Sequence, residues 1–399
     1  MRLTKDEEKM LSGGYGEGYR KAMEILVKLG EYYDAECMVP ISIAYIILGA
    51  YGPDNELYKW IKEFVDLGVT FKCPLTIAFP GAPETIELDQ RLGAQFTYGS
   101  GGSPTGLFPL PVYGQHVVPS NTNTTAFLNG IVGARANTEG PIGEYMAAIV
   151  GKTPKYGYHL PENRVGKVLF EVKAELKSYT DWNALGFYIS KTLATNWWDV
   201  PVLSGIQPAA TTLEDLISFC STIPAYGNVT HFLITGISPE ARTLEEAFGG
   251  EKPKEKFVVG SKEIQEVYDR FSTKERKPDL VEIFMGGGLQ NIYRIARMVE
   301  GKKVNKDVPL FVSMNAVDRS IADRFGLTKI LEEAGVQLGG ITWKGQRISL
   351  SRDAGRLGIK VVVSDSAKNC HYMPQQEVEM VLLPVEKCVK VALTGKLEV

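Results

Sequence analysis

The sequence predicts a multi-domain α/β protein in which mostly parallel, doubly wound sheets lie between two layers of helices, a three-layer α/β/α arrangement. The chain has 399 residues and a hydrophobic content of 44%, which supplies enough apolar surface for several cores. From about Gly166 onward, short β-branched runs alternate with segments of helical periodicity. Because parallel strands need such crossovers, this alternation favours parallel sheets with sites at the carboxyl ends of strands.

An N-terminal α/β domain is predicted for residues 1–165. Thr4 and Glu7 have the spacing of a capping box at the start of a helix, and the apolar run at 38–48 predicts a buried strand. A helix is predicted at 55–67. Between residues 72 and 123, prolines and a Gly/Ser tract predict loops rather than long regular elements, so we expect a loop-rich substrate region there.

A middle α/β domain is predicted for residues 166–275, and a C-terminal α/β domain for residues 276–399. Strands are expected at 167–172, 202–204, 231–234, 257–259, 281–285 and 310–313, and helices at 182–193, 213–220, 262–271, 290–299 and 321–325. The C-terminal domain also carries a polar motif at residues 364–368, which we expect to contribute to the site.

Charge and cysteine content exclude several functional classes. Lys and Arg total 44 against 47 Asp and Glu, and no run of five like charges occurs, so we expect neither nucleic acid nor a membrane as partner. The charged N-terminus and the lack of a long apolar segment predict a cytoplasmic protein. Five scattered cysteines without a CxxC pair indicate reduced thiols rather than a disulfide framework.

The strongest local signal follows the apolar run at 361–363. Ser364, Asp365, Ser366 and Lys368 come directly after this predicted strand, which is how a parallel sheet delivers polar groups to its carboxyl edge. The motif therefore predicts a site. Alternatively, its hydroxyls only cap the next helix and its lysine is solvated.

A second signal lies at Asn121, Thr122 and Asn123, which precede a predicted helix. Side-chain hydroxyls and amides there, with the free N–H groups of the helix, suit a carboxylate or phosphate. Ordinary N-capping explains the same residues equally well. The glycines at 99–103 and 286–288 match neither a P-loop nor a dinucleotide fingerprint.

Metal ligands are sparse, because the four histidines are separated in sequence and form no HxxxH or HExxH pattern. Cys37, Cys73 and Cys370 each lie near a predicted strand or strand end, so a three-thiolate site could form on folding. A lone buried cysteine is more often a small hydrophobic residue.

Three segments resemble the aconitase X family. Residues 114–116 (GQH), 133–140 (GARANTEG) and 364–372 (SDSAKNCHY) are similar to its GEH, GARTNREG and TNSAKxxHY stretches, in the same order. The resemblance covers nearly the whole chain, with looser support over 155–275. It implies an aconitase-like fold and a hydro-lyase that removes water from a small hydroxy acid.

The resemblance also implies a substrate and a partner. Two-subunit archaeal members act on 5-phosphomevalonate, giving an anhydromevalonate phosphate for isoprenoid synthesis, and fused bacterial members act on cis-3-hydroxyproline. The length of this chain resembles that of a large subunit, which implies a heterodimer with a small swivelling-domain subunit.

Carried over residue by residue, the resemblance implies the following site. Catalytic candidates are Lys368, His116, Glu139 and Ser366, and substrate-binding candidates are Gly49, Ala50, Tyr51, Phe79, Pro80, Asn121, Thr122, Arg135 and Asn137. Two candidates differ in kind from the family pattern, since Phe79 stands in place of an asparagine and Asn121 in place of an acid.

The iron–sulfur cluster of the family has no matching ligands here. The three places that carry its cysteines read Gly-Ser-Pro at 102–104, Phe-Met-Gly at 284–286 and Gly-Ile-Thr at 340–342. Three hypotheses follow. The chain is a hydro-lyase with a metal site rebuilt from Cys37, Cys73, Cys370 or His116; a paralogue without a cluster that performs acid–base elimination or isomerisation; or a non-catalytic scaffold subunit.

Overall fold

The computed structural model describes residues 1–48, 54–79, 83–97, 109–196, 198–275, 277–284, 288–339, 342–343, 346–347, 350–373 and 378–397. The chain divides into two compact units. Unit 1 comprises residues 1–169, 200–202 and 230–255, and unit 2 comprises residues 170–199, 203–229 and 256–399. Among the described helices, none is long and apolar enough to cross a membrane.

Up to residue 154 the described chain forms six α-helices, one π-helical turn (Leu128–Val132) and six strands. The helices are α1 (Lys5–Leu11), α2 (Glu17–Tyr32), α3 (Glu56–Asp66), α4 (Pro83–Leu92), α5 (Thr122–Phe127) and α6 (Gly140–Val150). The strands are β1 (Met38–Pro40), β2 (Ala44–Leu48), β3 (Leu75–Phe79), β4 (Gln95–Phe96), β5 (Val118–Pro119) and β6 (Lys152–Pro154).

The sheet of unit 1 has the order β4-β3-β2-β5, and all its strand pairs are parallel. Strand β1 pairs separately with β6 in the antiparallel sense. Helix α6 contacts both α2 and β2, and their apolar side chains form one buried core. The capping box predicted at Thr4 and Glu7 is present at the start of α1.

Two predictions for this region were wrong. The single strand expected at 38–48 is broken into β1 and β2, because the chain stops pairing with β6 and turns at 41–43 to join the main sheet. The region 72–123, expected to lack long regular elements, contains β3 and the ten-residue helix α4. Pro83 does not disrupt α4 because it is the first helical residue, where its missing N–H costs no hydrogen bond.

The rest of the chain supplies eleven further strands and ten further helices among the described residues. The strands are β7 (Val168–Val172), β8 (Pro201–Ser204), β9 (Leu233–Ile234), β10 (Glu255–Val259), β11 (Leu280–Ile283), β12 (Leu310–Val312), β13 (Gln337–Leu338), β14 (Thr342–Trp343), β15 (Gln346–Arg347), β16 (Val361–Ser364) and β17 (Glu379–Leu382). The helices are α7 (Tyr179–Thr192), α8 (Leu213–Thr222), α9 (Leu244–Ala247), α10 (Ser261–Arg270), α11 (Leu289–Val299), α12 (Ala316–Arg324), α13 (Leu327–Ala334), α14 (Leu350–Asp353), α15 (Ala367–Tyr372) and α16 (Val385–Thr394).

The main sheet of unit 2 is five-stranded and parallel, with the order β13-β12-β11-β16-β17. Its strands β11, β12 and β16 are buried along their whole length, as parallel strands covered on both faces must be. The order reverses direction between β11 and β16, and ligands bind beyond the carboxyl ends of strands at such a switch point. The predicted doubly wound α/β architecture is therefore confirmed.

Two smaller sheets complete the described fold. One has the order β10-β7-β8-β9, and the other is the antiparallel pair β14-β15.

Candidate functional site

In unit 1, His116 and Arg135 lie side by side as an isolated parallel bridge just before β5. The amide of Arg135 donates to the carbonyl of Gln115 at 2.8 Å, and the amide of Val117 donates to the carbonyl of Arg135 at 3.0 Å. Paired residues of neighbouring strands project to the same face. The backbone therefore directs the imidazole and the guanidinium to one side.

The ring of His116 contacts a second histidine, His159, which was not among the candidate residues predicted from the sequence. Its Nδ1 lies 2.9 Å from Nδ1 of His159, which is fully buried. Desolvation, together with the positive charges of Arg135, Lys155 and Arg164, lowers the pKa of His116 from 6.5 to about 4. Complete burial, together with neighbouring charges, also lowers the pKa of His159 well below 6.5, so both rings favour the neutral form near pH 7.

Glu139 has a buried carboxyl group whose pKa lies near neutral pH. Its Oε2 accepts a hydrogen bond of 2.8 Å from the Tyr156 hydroxyl, and its Oε1 is buried with no hydrogen-bond partner among the described residues. Desolvation raises the pKa of Glu139 from 4.5 to about 7, although interactions with Tyr156 and Asn137 offset part of the increase. The Tyr156 ring stacks on that of Tyr33 at 4.3 Å between centroids.

Asn137 and Glu144 line the same part of unit 1. Asn137 accepts from the amide of Tyr158 at 2.9 Å and donates to the carbonyl of Tyr156 at 3.1 Å. Glu144, on α6, is fully buried, and desolvation raises its pKa well above 4.5; the interaction with Ser120 opposes this increase, and the charge of Glu139 adds a smaller one. Desolvation therefore favours the protonated form of Glu144.

A buried polar network fixes the segment that carries these groups. Asn129 accepts from the amide of Ala136 at 3.0 Å and donates to its carbonyl at 2.9 Å. Arg164, which is 3% exposed, donates to Asn129 at 3.0 Å and to both carboxylate oxygens of Glu240. Buried hydrogen bonds of this kind fix the backbone that carries the functional side chains, and so hold those side chains in place.

The other predicted residues of this region have simpler environments. Asn121 caps the six-residue helix α5 through its side chain, and Thr122 is the first residue of that helix. Phe79 ends β3, but its side chain lies outside the described residues. Gly49, Ala50, Tyr51 and Pro80 also lie outside the described part of the chain.

In unit 2, the polar motif after β16 lies at the switch point of the parallel sheet. Ser366 caps α15 through its side chain, as the alternative interpretation of this motif predicted. Asp365 is 1% exposed and accepts from the amide of Phe284 at 3.0 Å and from the hydroxyl of Tyr179. Burial raises the pKa of Asp365 from 3.8 to about 7, which the hydrogen bond from Phe284 partly offsets.

Lys368 follows on α15 and is half-buried. Burial lowers the pKa of its amine from 10.5 to about 8, and its Nζ lies 5.9 Å from the centre of the Tyr372 ring. The next residue, Asn369, donates at 3.0 Å to Glu282, whose pKa is raised to about 7 by burial. The motif therefore combines an amine and two carboxyl groups that all titrate near neutral pH.

Within the described residues, Cys37, Cys73 and Cys370 do not stand in any group of three metal-ligating side chains. Cys37 is half-buried and Cys73 is buried, both in unit 1, whereas Cys370 lies fully buried in unit 2. Burial raises the pKa of Cys73 to about 12 and that of Cys370 well above its ordinary value, which disfavours the thiolates that iron binds. Within the described chain, no three His, Cys, Asp or Glu side chains are placed to hold a metal ion.

Models of all three aconitase X domains match the chain. The first-domain model matches residues 1–99 and 87–162, the second-domain model 166–269 and the third-domain model 288–394. The phosphomevalonate dehydratase large subunit of Thermococcus kodakarensis is 32% identical, with 83% of this chain and 86% of the relative covered. The corresponding subunit of Methanocaldococcus jannaschii is 30% identical over 98% and 100% of the two chains.

Two further comparisons also find a dehydratase and an aconitase X structure. The cis-3-hydroxy-L-proline dehydratase of Pseudomonas aeruginosa is 25% identical, with 99% of this chain and 70% of the relative covered. The crystal structure of Thermococcus kodakaraensis aconitase X in its holo form superposes with a TM-score of 0.83 at 29% identity, covering 98% of this chain and 100% of that one. Fold and relatives together define an α/β hydro-lyase that dehydrates a hydroxy acid. The chain belongs to the aconitase X family.

Proposed function

We propose that this chain is the large subunit of a dehydratase that converts 5-phosphomevalonate to an anhydromevalonate phosphate. The relatives that share 30–32% identity with it carry the name phosphomevalonate dehydratase large subunit, which supports both the substrate and a separate small subunit. A small hydroxy acid of another kind is the alternative substrate, since cis-3-hydroxy-L-proline dehydratases are also related.

The observation that carries the proposal is the buried carboxyl of Glu139, with a pKa of about 7 and one oxygen without a partner among the described residues. Dehydration breaks a C–H bond beside the carboxylate and a C–O bond on the next carbon. The electron pair from the C–H bond forms the C=C bond, and a proton from a general acid turns the departing hydroxyl into water. An acid with a pKa near 7 is well matched to that proton transfer.

Anion binding is assigned to His116 and Arg135, whose side chains project to one face. A guanidinium and an imidazole N–H suit the oxygens of a carboxylate or phosphate. Further substrate contacts are proposed at Asn121, Thr122, Asn137 and Phe79. The same role is proposed for four residues outside the described part of the chain, namely Gly49, Ala50, Tyr51 and Pro80.

Proton removal is assigned to Lys368. An amine with a pKa of about 8 has an appreciable neutral fraction near pH 7.5, and only that form accepts a proton. Ser366 positions the start of α15, the helix that carries this amine. We assign the acid–base steps to ionisable groups of the chain itself, because burial raises the pKa of the Cys73 and Cys370 thiols and so disfavours the thiolates that a cluster needs.

Turnover of authentic substrates tests the proposal. The chain, purified in complex with its small subunit, is incubated separately with 5-phosphomevalonate and cis-3-hydroxy-L-proline, and loss of one water is followed by mass spectrometry. We expect dehydration of the phosphorylated acid and its abolition by Lys368→Met. The exposed Lys360 provides the matched control, since Lys360→Met removes the same charge away from the motif. Dehydration of cis-3-hydroxy-L-proline alone, or of neither acid, would reject the proposal.

A further inference from the structure

The contact between His116 and His159 determines which nitrogen of each ring carries a proton. Their Nδ1 atoms are 2.9 Å apart, so one must donate and the other accept. Burial and the adjacent positive charges of Arg135 and Arg164 oppose a second proton on either ring. With two neutral rings, one Nδ1 bears a hydrogen and the other bears a lone pair.

The environment of His159 decides between the two arrangements. Its Nε2 is buried and has no hydrogen-bond partner among the described residues. If His159 accepted through Nδ1, its proton would sit on Nε2 as a buried N–H without an acceptor. If His159 donates through Nδ1, the unpartnered atom is a lone pair instead, and buried N–H groups without an acceptor are rarer in native structures than buried acceptors without a donor.

We propose that His159 is a positioning residue that holds His116 in the Nε2–H tautomer, so that His116 presents an N–H donor beside Arg135. His116 is only half-buried, and its Nδ1 is occupied by His159. Its Nε2 is therefore the nitrogen left to meet a ligand, and it meets the ligand as a donor rather than as a base.

The ligand that suits this pair is an anionic oxygen, and this step rests on the function proposed above. When a proton leaves the carbon beside a carboxylate, negative charge builds up on the carboxylate oxygens. Donors fixed in place before that charge appears stabilise it without reorganising. A neutral imidazole N–H next to a guanidinium is such a pair of donors. Without His159, a fraction of the molecules would have His116 in the other tautomer, with a lone pair facing the anion.

Nitrogen NMR shows which ring nitrogen of each histidine carries the proton, and so tests the tautomers independently of catalytic activity. The chain has four histidines, so protein labelled with ¹⁵N-histidine gives four ring systems, which His116→Gln and His159→Asn variants assign. His231 serves as an internal reference, because its Nε2 lies 3.1 Å from the carbonyl oxygen of Arg164 and must donate there. We expect a protonated Nε2 in His116 and a protonated Nδ1 in His159. A protonated Nδ1 in His116 would overturn the proposal.

Substitution of His159 separates positioning from mere packing. His159→Leu removes the donor, whereas His159→Asn keeps an N–H near the position of Nδ1. We expect His159→Leu to yield mixed tautomers of His116 and about a 10-fold or greater loss of kcat/KM, as for other groups that orient a functional side chain. His159→Asn should retain most of the Nε2–H tautomer of His116 and most of the kcat/KM. An unchanged His231 spectrum verifies the fold of each variant.

The two kinds of failure can be distinguished. If neither hydroxy acid is turned over but the tautomers are as expected, the proposed function fails and the tautomer assignment stands. If His159→Leu leaves the His116 tautomer unchanged, the positioning role is refuted whatever the activity.

Discussion

Replacing Glu139 with glutamine should make the protein more stable and less active at neutral pH. The buried carboxyl has a pKa raised from 4.5 to about 7, so the folded state binds its proton more tightly than the unfolded chain does. The unfolding free energy therefore falls as the pH rises from about 4.5 to about 7, and the full cost of a buried charge is present above that range.

The size of the effect follows from the separation of the two pKa values. Each pKa unit corresponds to about 1.4 kcal/mol, so ionisation of Glu139 removes about 3 kcal/mol of stability between about pH 4 and about pH 8. Glutamine carries no charge and keeps an oxygen that can accept from Tyr156. Relative to the wild type, Glu139→Gln should gain about 3 kcal/mol over this range, while turnover falls by about 100-fold or more because the general acid is lost.

Urea unfolding of both proteins at a series of pH values measures this difference. Glu162→Gln, at an exposed position of unit 1, is the matched control and should show no such pH dependence. An unfolding free energy difference that is the same at about pH 5 and about pH 8 would refute the reasoning, since it would mean that the carboxyl ionises as easily in the folded protein as in the unfolded chain.

Three other outcomes are expected. The rate should follow a bell-shaped pH profile with its maximum between about pH 7 and about pH 8, because Lys368 must lose its proton while Glu139 must keep its own, and a flat profile across that range would contradict these roles. Glu240→Ala should destabilise unit 1 by about 3 kcal/mol in thermal or urea unfolding, because it leaves the buried guanidinium of Arg164 unpaired. A thiol reagent should modify Cys37 rapidly in the native protein and reach the other cysteines only after unfolding; rapid reaction of two or more thiols would disagree with their burial.

Much of the fold was predictable because it depends on local pattern. The apolar β-branched run of β16, followed by Ser366 and a short helix, gives the observed strand, cap and helix in order. The capping box at Thr4 was predictable for the same reason. The prediction for 72–123 is wrong because prolines interrupt a helix only in its interior, whereas Pro83 occupies the first helical position, where proline is tolerated. The division into three domains of 1–165, 166–275 and 276–399 stays a prediction.

The candidate site was only partly predictable. Arg135, Asn137 and Glu139 were selected through the family resemblance, but the partners that set their chemistry lie elsewhere in the chain. His159 is 43 residues from His116, and Tyr156 is 17 residues from Glu139. The cluster of aromatic and imidazole side chains at 156–159 was the available signal. Their pKa shifts arise from burial, which requires the tertiary structure.

We propose that this hydroxy-acid dehydratase acts through its own ionisable groups and without a cysteine-bound cluster. The most direct measurement compares the rate of water loss from 5-phosphomevalonate with the iron and sulfide content of the same preparations of the two-subunit complex. We predict turnover that does not vary with iron content and that falls sharply in Glu139→Gln. Turnover proportional to bound iron and sulfide, and unaffected by Glu139→Gln, would contradict the claim.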